Sequence, residues 1–240
     1  MYQIFKKELN SFLNSLIGYI VVGVFLTTTG LFTWFFKDNI LDFGYADMSL
    51  FFQVSPFIFL FLIPAITMRA FSEELKSGTI ELLFSKPLTK WQIVLGKYLA
   101  SCFLIFMSLL PTLLYYYSVF QLGNPSGNVD SAAVFSSYLG LFLLGCVFAS
   151  MGILMSAFTD NQVTAFVLSL IACLTLFYGV GQLAQLPFMG EFGYFFNQLA
   201  LDYQYNALGK GLLDSRNITY FLTIIFLALW ITRLKISSLK

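Results

Sequence analysis

The chain of 240 residues has little with which to do covalent chemistry. It contains no histidine, so the commonest metal ligand and the commonest general base near neutral pH are both missing. Cys102, Cys146 and Cys173 lie singly inside apolar runs without ligand spacing, which reads as small buried hydrophobes rather than a disulfide or a metal site. No G-x-x-x-x-G-K-[ST] run is present, so no phosphate loop is expected. What remains is a concentration of charge. Arg69 to Lys97 holds five of the thirteen basic residues and three of the twelve acidic ones, Glu73, Glu74 and Glu81. Such charges can stabilise helix ends or meet a partner, but they supply no nucleophile and no convergent acid–base set.

Composition says what must position that stretch. Hydrophobic residues make up 58% of the chain and charged residues 10%, against about 45–50% and about 25% in soluble domains. The runs on both sides of Arg69–Lys97 are long enough to cross a bilayer. The expected fold is therefore all-α, a single polytopic membrane domain over residues 1–240 with six transmembrane helices. The net charge of +1 points to no nucleic acid and no acidic substrate.

Taken in order, residues 3–15 form an amphipathic pattern, with Phe5, Leu9, Phe12, Leu13 and Leu16 opposite Lys6, Asn10 and Asn14, which predicts a helix lying on the membrane. Span one follows at about 16–36; without a small-residue cleavage site it is read as uncleaved, the chain starting near Met1. Span two, about 50–68, contains Pro56 and Pro64, which predict a bent or jointed helix. Span three, about 90–120, has Lys97 near one surface and Tyr115 to Tyr117 near the other. Span four, about 133–158, carries the small-residue stripe Gly145, Ala149 and Gly152, and Thr159 or Asp160 is placed to cap span five, about 163–183. Ala184 to Arg216 is too apolar for a free loop yet interrupted by Pro187, Gly190, Glu191, Gly193, Asp202, Gly209 and Gly211, so short re-entrant or interfacial helices are expected. Span six, about 217–232, has 16 uncharged residues between Arg216 and Arg233, few enough that the arginines must snorkel.

The charged stretch, 69–89, has local order of its own. Ser72 is expected to cap a helix whose first turn holds Glu73 and Glu74, with Phe71, Leu75 and Leu82 at near-helical spacing and Ser77-Gly78 as a joint. Lys86-Pro87 forces an extended residue, and Thr89 with Gln92 forms a capping box that starts span three. Two readings stand: a loop held on one side by its charge, or a docking surface for a cytoplasmic partner. Six spans put both termini on one side with ten basic residues, against Lys37, Lys210 and Arg216 on the other, so termini and charged loop are expected in the cytoplasm.

The run Phe71-Ser-Glu-Glu-Leu-Lys-Ser-Gly-Thr-Ile-Glu-Leu-Leu83, followed by Lys86-Pro87-Leu88 and Ile93-Val-Leu-Gly-Lys97, resembles the intracellular loop of ABC-2-type transporter permeases. Gly209-Lys-Gly-Leu-Leu-Asp214-Ser-Arg216-Asn-Ile-Thr-Tyr220 resembles the segment leading those permeases into their last span. The likeness covers essentially the whole chain and, within the group, is to gliding-motility-associated permease subunits. It implies a non-enzymatic subunit without cofactor in a bacterial inner membrane. Its implied partners are a cytoplasmic ABC ATPase, a second permease copy or related membrane subunit, membrane lipid and an envelope motility protein. On that resemblance Phe71 and Leu75 anchor a coupling helix, Glu73, Glu74 and Glu81 pair with basic groups or amides of the ATPase, and Gly78-Thr79 lets the helix turn. Arg69, Thr89 and Gln92 pass the motion into spans two and three, with Pro56, Pro64 and Pro87 as hinges. Gly209, Gly211, Asp214 and Arg216 organise the outer helices. A non-transporting scaffold that anchors a motility complex through the same loop is the competing function.

Overall fold

The computed structural model describes residues 1–36, 39–42, 46–84, 87–185, 192–211 and 213–238, with the side chains of Ile17, Leu82, Phe192 and Phe195 left aside. Lys37, Lys86, Pro187, Gly190 and Glu191, which figure in the sequence reading, lie outside the described residues. Every regular element among those described is helical. Five helical segments are long and apolar enough to cross a membrane: Ser49–Lys76, Lys90–Leu122, Ser131–Ser156, Gln162–Ala184 and Ser215–Ser237. A sixth is counted if α1 (Tyr2–Leu13) and α2 (Leu16–Trp34), which meet at a 64° bend, are taken as one broken span.

The bend follows from the side chains on either side of it. Ser15 closes α1 by donating its hydroxyl to the Phe12 carbonyl at 3.1 Å, and its Oγ accepts from Gly18 N at 3.4 Å to open α2. The inward face of α1 differs from the apolar face seen in sequence. Ile4 is buried and Glu8 half-buried beside Phe5, Leu9 and Phe12, whereas Leu13 and Leu16 point outward. Along α2, Thr27, Thr28 and Thr29 return their hydroxyls to carbonyls four residues back at 2.6–2.8 Å, which satisfies them without a polar partner helix.

The second long segment comprises α3 (Ser49–Thr67) and α4 (Arg69–Lys76), which follow one another directly. Pro56 and Pro64 both lie within α3, which stays helical through them; the irregular residue is Met68. Proline at position 56 has no amide for the Phe52 carbonyl four residues earlier. That oxygen instead accepts the hydroxyl of Tyr205, at 2.7 Å, from α12 (Leu201–Leu208). A donor from a distant helix thus replaces the missing bond, and the helix continues.

After α5 (Ile80–Phe84), α6 (Lys90–Leu109) runs through a 3₁₀ turn containing Pro111 into α7 (Leu113–Leu122). The centre of the bundle is α8 (Ser131–Ser156), capped by Asp130, whose Oδ1 accepts from Ala132 N and Ala133 N at 3.1 and 3.0 Å. Its most apolar stretch is 72% buried, against 22% for Gln162–Ala184 and 28% for Ser215–Ser237, which places those two at the rim. The small-residue stripe of α8 receives α3 and α6: a Cβ on Gly145 would sit 3.0 Å from Ile105 and 3.4 Å from Ile63 and Phe59, and one on Gly152 would overlap Thr67. The rim segment consists of α9 (Gln162–Leu174), a π-helical turn and α10 (Val180–Ala184). Its cap is Asn161, whose Oδ1 accepts from Val163 N at 3.0 Å; Thr159 supports it by accepting from Asn161 N, and Asp160 has no part. The short α11 (Phe192–Gln198) and α12 then lead to α13 (Ser215–Ser237).

Replacing Tyr205 by Phe should lower the stability of the detergent-solubilised protein by about 1–3 kcal/mol, the cost of a buried carbonyl left without a donor. In a Pro56→Ala background, where residue 56 supplies its own amide, the same change should cost less than about 1 kcal/mol. Thermal unfolding midpoints of the four proteins check this, and equal costs in both backgrounds would contradict the account.

Candidate functional site

The charged stretch folds against one end of the bundle. Where α3 passes into α4, the hydroxyl of Ser156, the last residue of α8, accepts from Phe71 N at 2.8 Å and Ser72 N at 3.0 Å and donates to Met68 O at 3.1 Å. A hydroxyl offers one donor and two acceptor sites, and all are used here. Ser72 is therefore not the helix cap that its sequence context suggests. The helix starts three residues earlier, at Arg69, so Ser72 is buried inside it and turns its hydroxyl back to the Met68 carbonyl.

The buried face of α4 meets Lys97, which is 3% exposed. Its ammonium lies 2.9 Å from Glu8 Oε1 on α1 and 3.0 Å from Glu74 Oε1 on α4, with the Phe71 ring 5.1 Å away. Lys7 approaches the same Glu74 oxygen at 3.5 Å. Two ammonium groups and two carboxylates thus join α1, α4 and α6, which satisfies the rule that a buried charge needs a counter-charge. On the outward side, Glu73, Lys76, Gly78, Thr79 and Glu81 are exposed. Gly78 has a φ of +69°, a left-handed conformation that lets the chain turn sharply from α4 into α5, and Ser77 and Thr79 share a hydroxyl contact of 2.8 Å beside it.

The start of α6 is tied as firmly. Thr89 and Gln92 make the full capping box, Gln92 N to Thr89 Oγ1 at 3.3 Å and Thr89 N to Gln92 Oε1 at 3.0 Å, with Pro87 exposed just before it. Lys90 donates to the Ser237 carbonyl at the end of α13, at 3.3 Å. Trp91 meets Trp230 at 5.9 Å, and the Arg233 guanidinium lies over both rings, at 5.4 and 5.5 Å. At the far end of the bundle, Gly211 sits against the start of α8, 3.4 Å from Ala133 by its would-be Cβ, and Gly209 lies near Ser137. Asp214 caps α13 by accepting from Arg216 N at 2.9 Å. These two residues therefore meet through the backbone, not as a charge pair.

A family model described as ABC-2 family transporter protein matches residues 2–232. The chain belongs to that family. Against individual curated proteins it has no match. ABC-2 chains work with an ABC ATPase, and the apolar helices make this member a multi-pass membrane protein. The structure of this ABC-2 chain brings Phe71, Glu74 and Leu75 together on the inner face of α4, leaves Glu73 exposed on α4, Gly78 and Thr79 exposed in the turn after it and Glu81 exposed on α5, and holds Pro56 and Pro64 within α3. Glu74 is the least exposed of the three glutamates of this stretch, its side chain 13% exposed and paired with Lys97 and Lys7. Lys97, Glu8, Lys7 and Ser156 were not singled out as site residues. The available signals were a lysine among apolar neighbours in span three and Glu8 as the only carboxylate in the first 37 residues.

Replacing Lys97 by Met leaves two half-buried carboxylates facing each other and should cost about 3–5 kcal/mol. The loosened α1 should be cut by trypsin at Lys6 and Lys7 several times faster than in the native protein. Adding Glu8→Gln and Glu74→Gln to Lys97→Met should restore most of the resistance. A single variant as resistant as the native chain would mean that the cluster does not hold α1.

Proposed function

We propose that this chain is the permease subunit through which a separate ATPase drives movement of a substrate across, or out of, a bacterial inner membrane. In this reading both termini and α4–α5 face the cytoplasm, as the excess of basic residues at that end supports. The ATPase docks on the exposed face of α4–α5 and uses Glu73 and Glu81. Two permease chains, identical or related, act with a pair of ATPase subunits. The likeness of the whole chain to the gliding-motility-associated permease subunit GldF supports the further reading that transport serves surface motility.

One observation carries the coupling role. The face of α4 opposite its exposed side is fastened to α8 by Ser156 and to α1 and α6 by Lys97. A displacement of α4 therefore cannot be absorbed locally. It must move the central helix, or break bonds whose loss costs several kcal/mol.

The double reversal Glu73→Lys with Glu81→Lys should reduce co-purification of the ATPase severalfold while leaving the thermal stability of the chain within about 0.5 kcal/mol, because both positions are exposed. Pull-down from detergent at low salt reads the first quantity and thermal unfolding the second. Unchanged association would remove the docking face. Nucleotide-driven flux in vesicles separates a permease from a scaffold, which would bind the ATPase without moving cargo.

A further inference from the structure

Where α6 begins and α13 ends, three aromatic rings gather. Trp91 lies 5.9 Å from Trp230 and 6.4 Å from Phe226, and those two lie 5.6 Å apart. Phe226 is 54% and Trp230 40% exposed, on a helix long and apolar enough to cross a membrane. Leu222, Leu227, Ile231 and Leu234 are exposed on the same helix, so its outward surface is apolar as far as the rings and just beyond them. Indole rings at the end of an apolar span mark the depth at which hydrocarbon gives way to headgroups.

Arg233 stands over this group. Its guanidinium carbon is 5.4 Å from the Trp91 ring and 5.5 Å from that of Trp230. The rings hold the guanidinium in place but accept none of its five N–H donors in a conventional hydrogen bond. Among the described residues its side chain meets no carboxylate and no hydrogen-bond acceptor. Lys90, next to Trp91, gives one N–H to the Ser237 carbonyl, one turn of α13 beyond Arg233, and has two to spare. Of the carboxylates on the α4 side of the bundle, Glu8 and Glu74 are paired with Lys97 and Lys7, and Glu73, Glu81 and Asp160 form no ion pair with Lys90 or Arg233. Two cations thus stand beside outward-facing rings without a counter-charge from the chain.

Their complement must be anionic, must fit the fork of a guanidinium, and must carry apolar matter to cover the rings. The phosphate diester of a membrane lipid meets all three requirements, whereas an acidic side chain or dissolved phosphate lacks the last. Two cations against one diester also favour a lipid of net negative charge, since a zwitterionic headgroup brings its own ammonium to the pair. We propose that Arg233 and Lys90 bind the phosphate of an anionic phospholipid in the leaflet on this side of the membrane, its acyl chains lying over Phe226 and Trp230. The bound lipid then joins the start of α6 to the end of α13 from outside.

The full chain in detergent is titrated with phosphatidylglycerol and with phosphatidylethanolamine, and bound lipid is counted by native mass spectrometry. One phosphatidylglycerol should bind the native chain about tenfold or more tightly than phosphatidylethanolamine, and Arg233→Gln should remove most of that preference. Arg233→Lys, which keeps the charge but not the fork, should fall between the two. Arg216→Gln, at the opposite end of α13, should bind as the native chain does. Equal binding of phosphatidylglycerol by the native chain and Arg233→Gln overturns the proposal. So does its release by inorganic phosphate but not by chloride at matched ionic strength, which would make this a site for small anions. If Arg233→Gln does not fold, Trp34→Phe decides the matter, because the tryptophans it retains are Trp91 and Trp230. In bilayers, brominated phosphatidylglycerol should quench their fluorescence more than brominated phosphatidylethanolamine at equal mole fraction, and equal quenching overturns the proposal.

Discussion

An ammonium group taken out of water must find its counter-charge inside the protein, and in this chain that requirement falls on Lys97. Glu8 and Glu74 meet it from opposite sides, one from a helix at the start of the chain and one from the helix that continues the second long segment. With charged residues at 10% of the chain, few other partners were available. The arrangement of α1, α4 and α6 at this end of the bundle follows from it, since none of the three can shift far without exposing or isolating a charge.

The same logic governs uncharged polar groups, at lower cost and in larger number. Lipid supplies no hydrogen bonds, so every backbone group that leaves the helical ladder needs a donor or acceptor from the protein. Tyr205 supplies one to the carbonyl left free by Pro56, and Ser156 supplies three at the joint after Thr67. Both side chains sit on helices distant in sequence from the groups they satisfy. They therefore act as packing instructions, fixing which helices lie side by side, as well as repairs to individual helices.

How much of this could be read from the residues depended on range. Long apolar runs announce membrane helices through length alone, and the capping box at Thr89 and Gln92 is written within four residues, so both were legible. The cap expected at Ser72 failed because local pattern could not tell that the preceding helix runs on to Lys76. Asn161 won over Thr159 and Asp160 by a choice of one or two positions, the margin within which cap chemistry alone is ambiguous. Glu8 and Lys97 are 89 residues apart, and no periodicity connects them. Only the demand that a lysine in apolar surroundings have a partner could have raised the question, and it would not have supplied the answer.

The two electrostatic layers at this end of the molecule differ in their access to dissolved ions. Charges on the outward side of α4 and α5 lie within reach of the ionic atmosphere, which damps them over about 8–10 Å at ordinary salt. Lys97, 3% exposed, lies largely beyond its reach. Concentrated salt should consequently weaken the attractions of the outer layer while the inner one keeps its shape and goes on holding α1, α4 and α6 together.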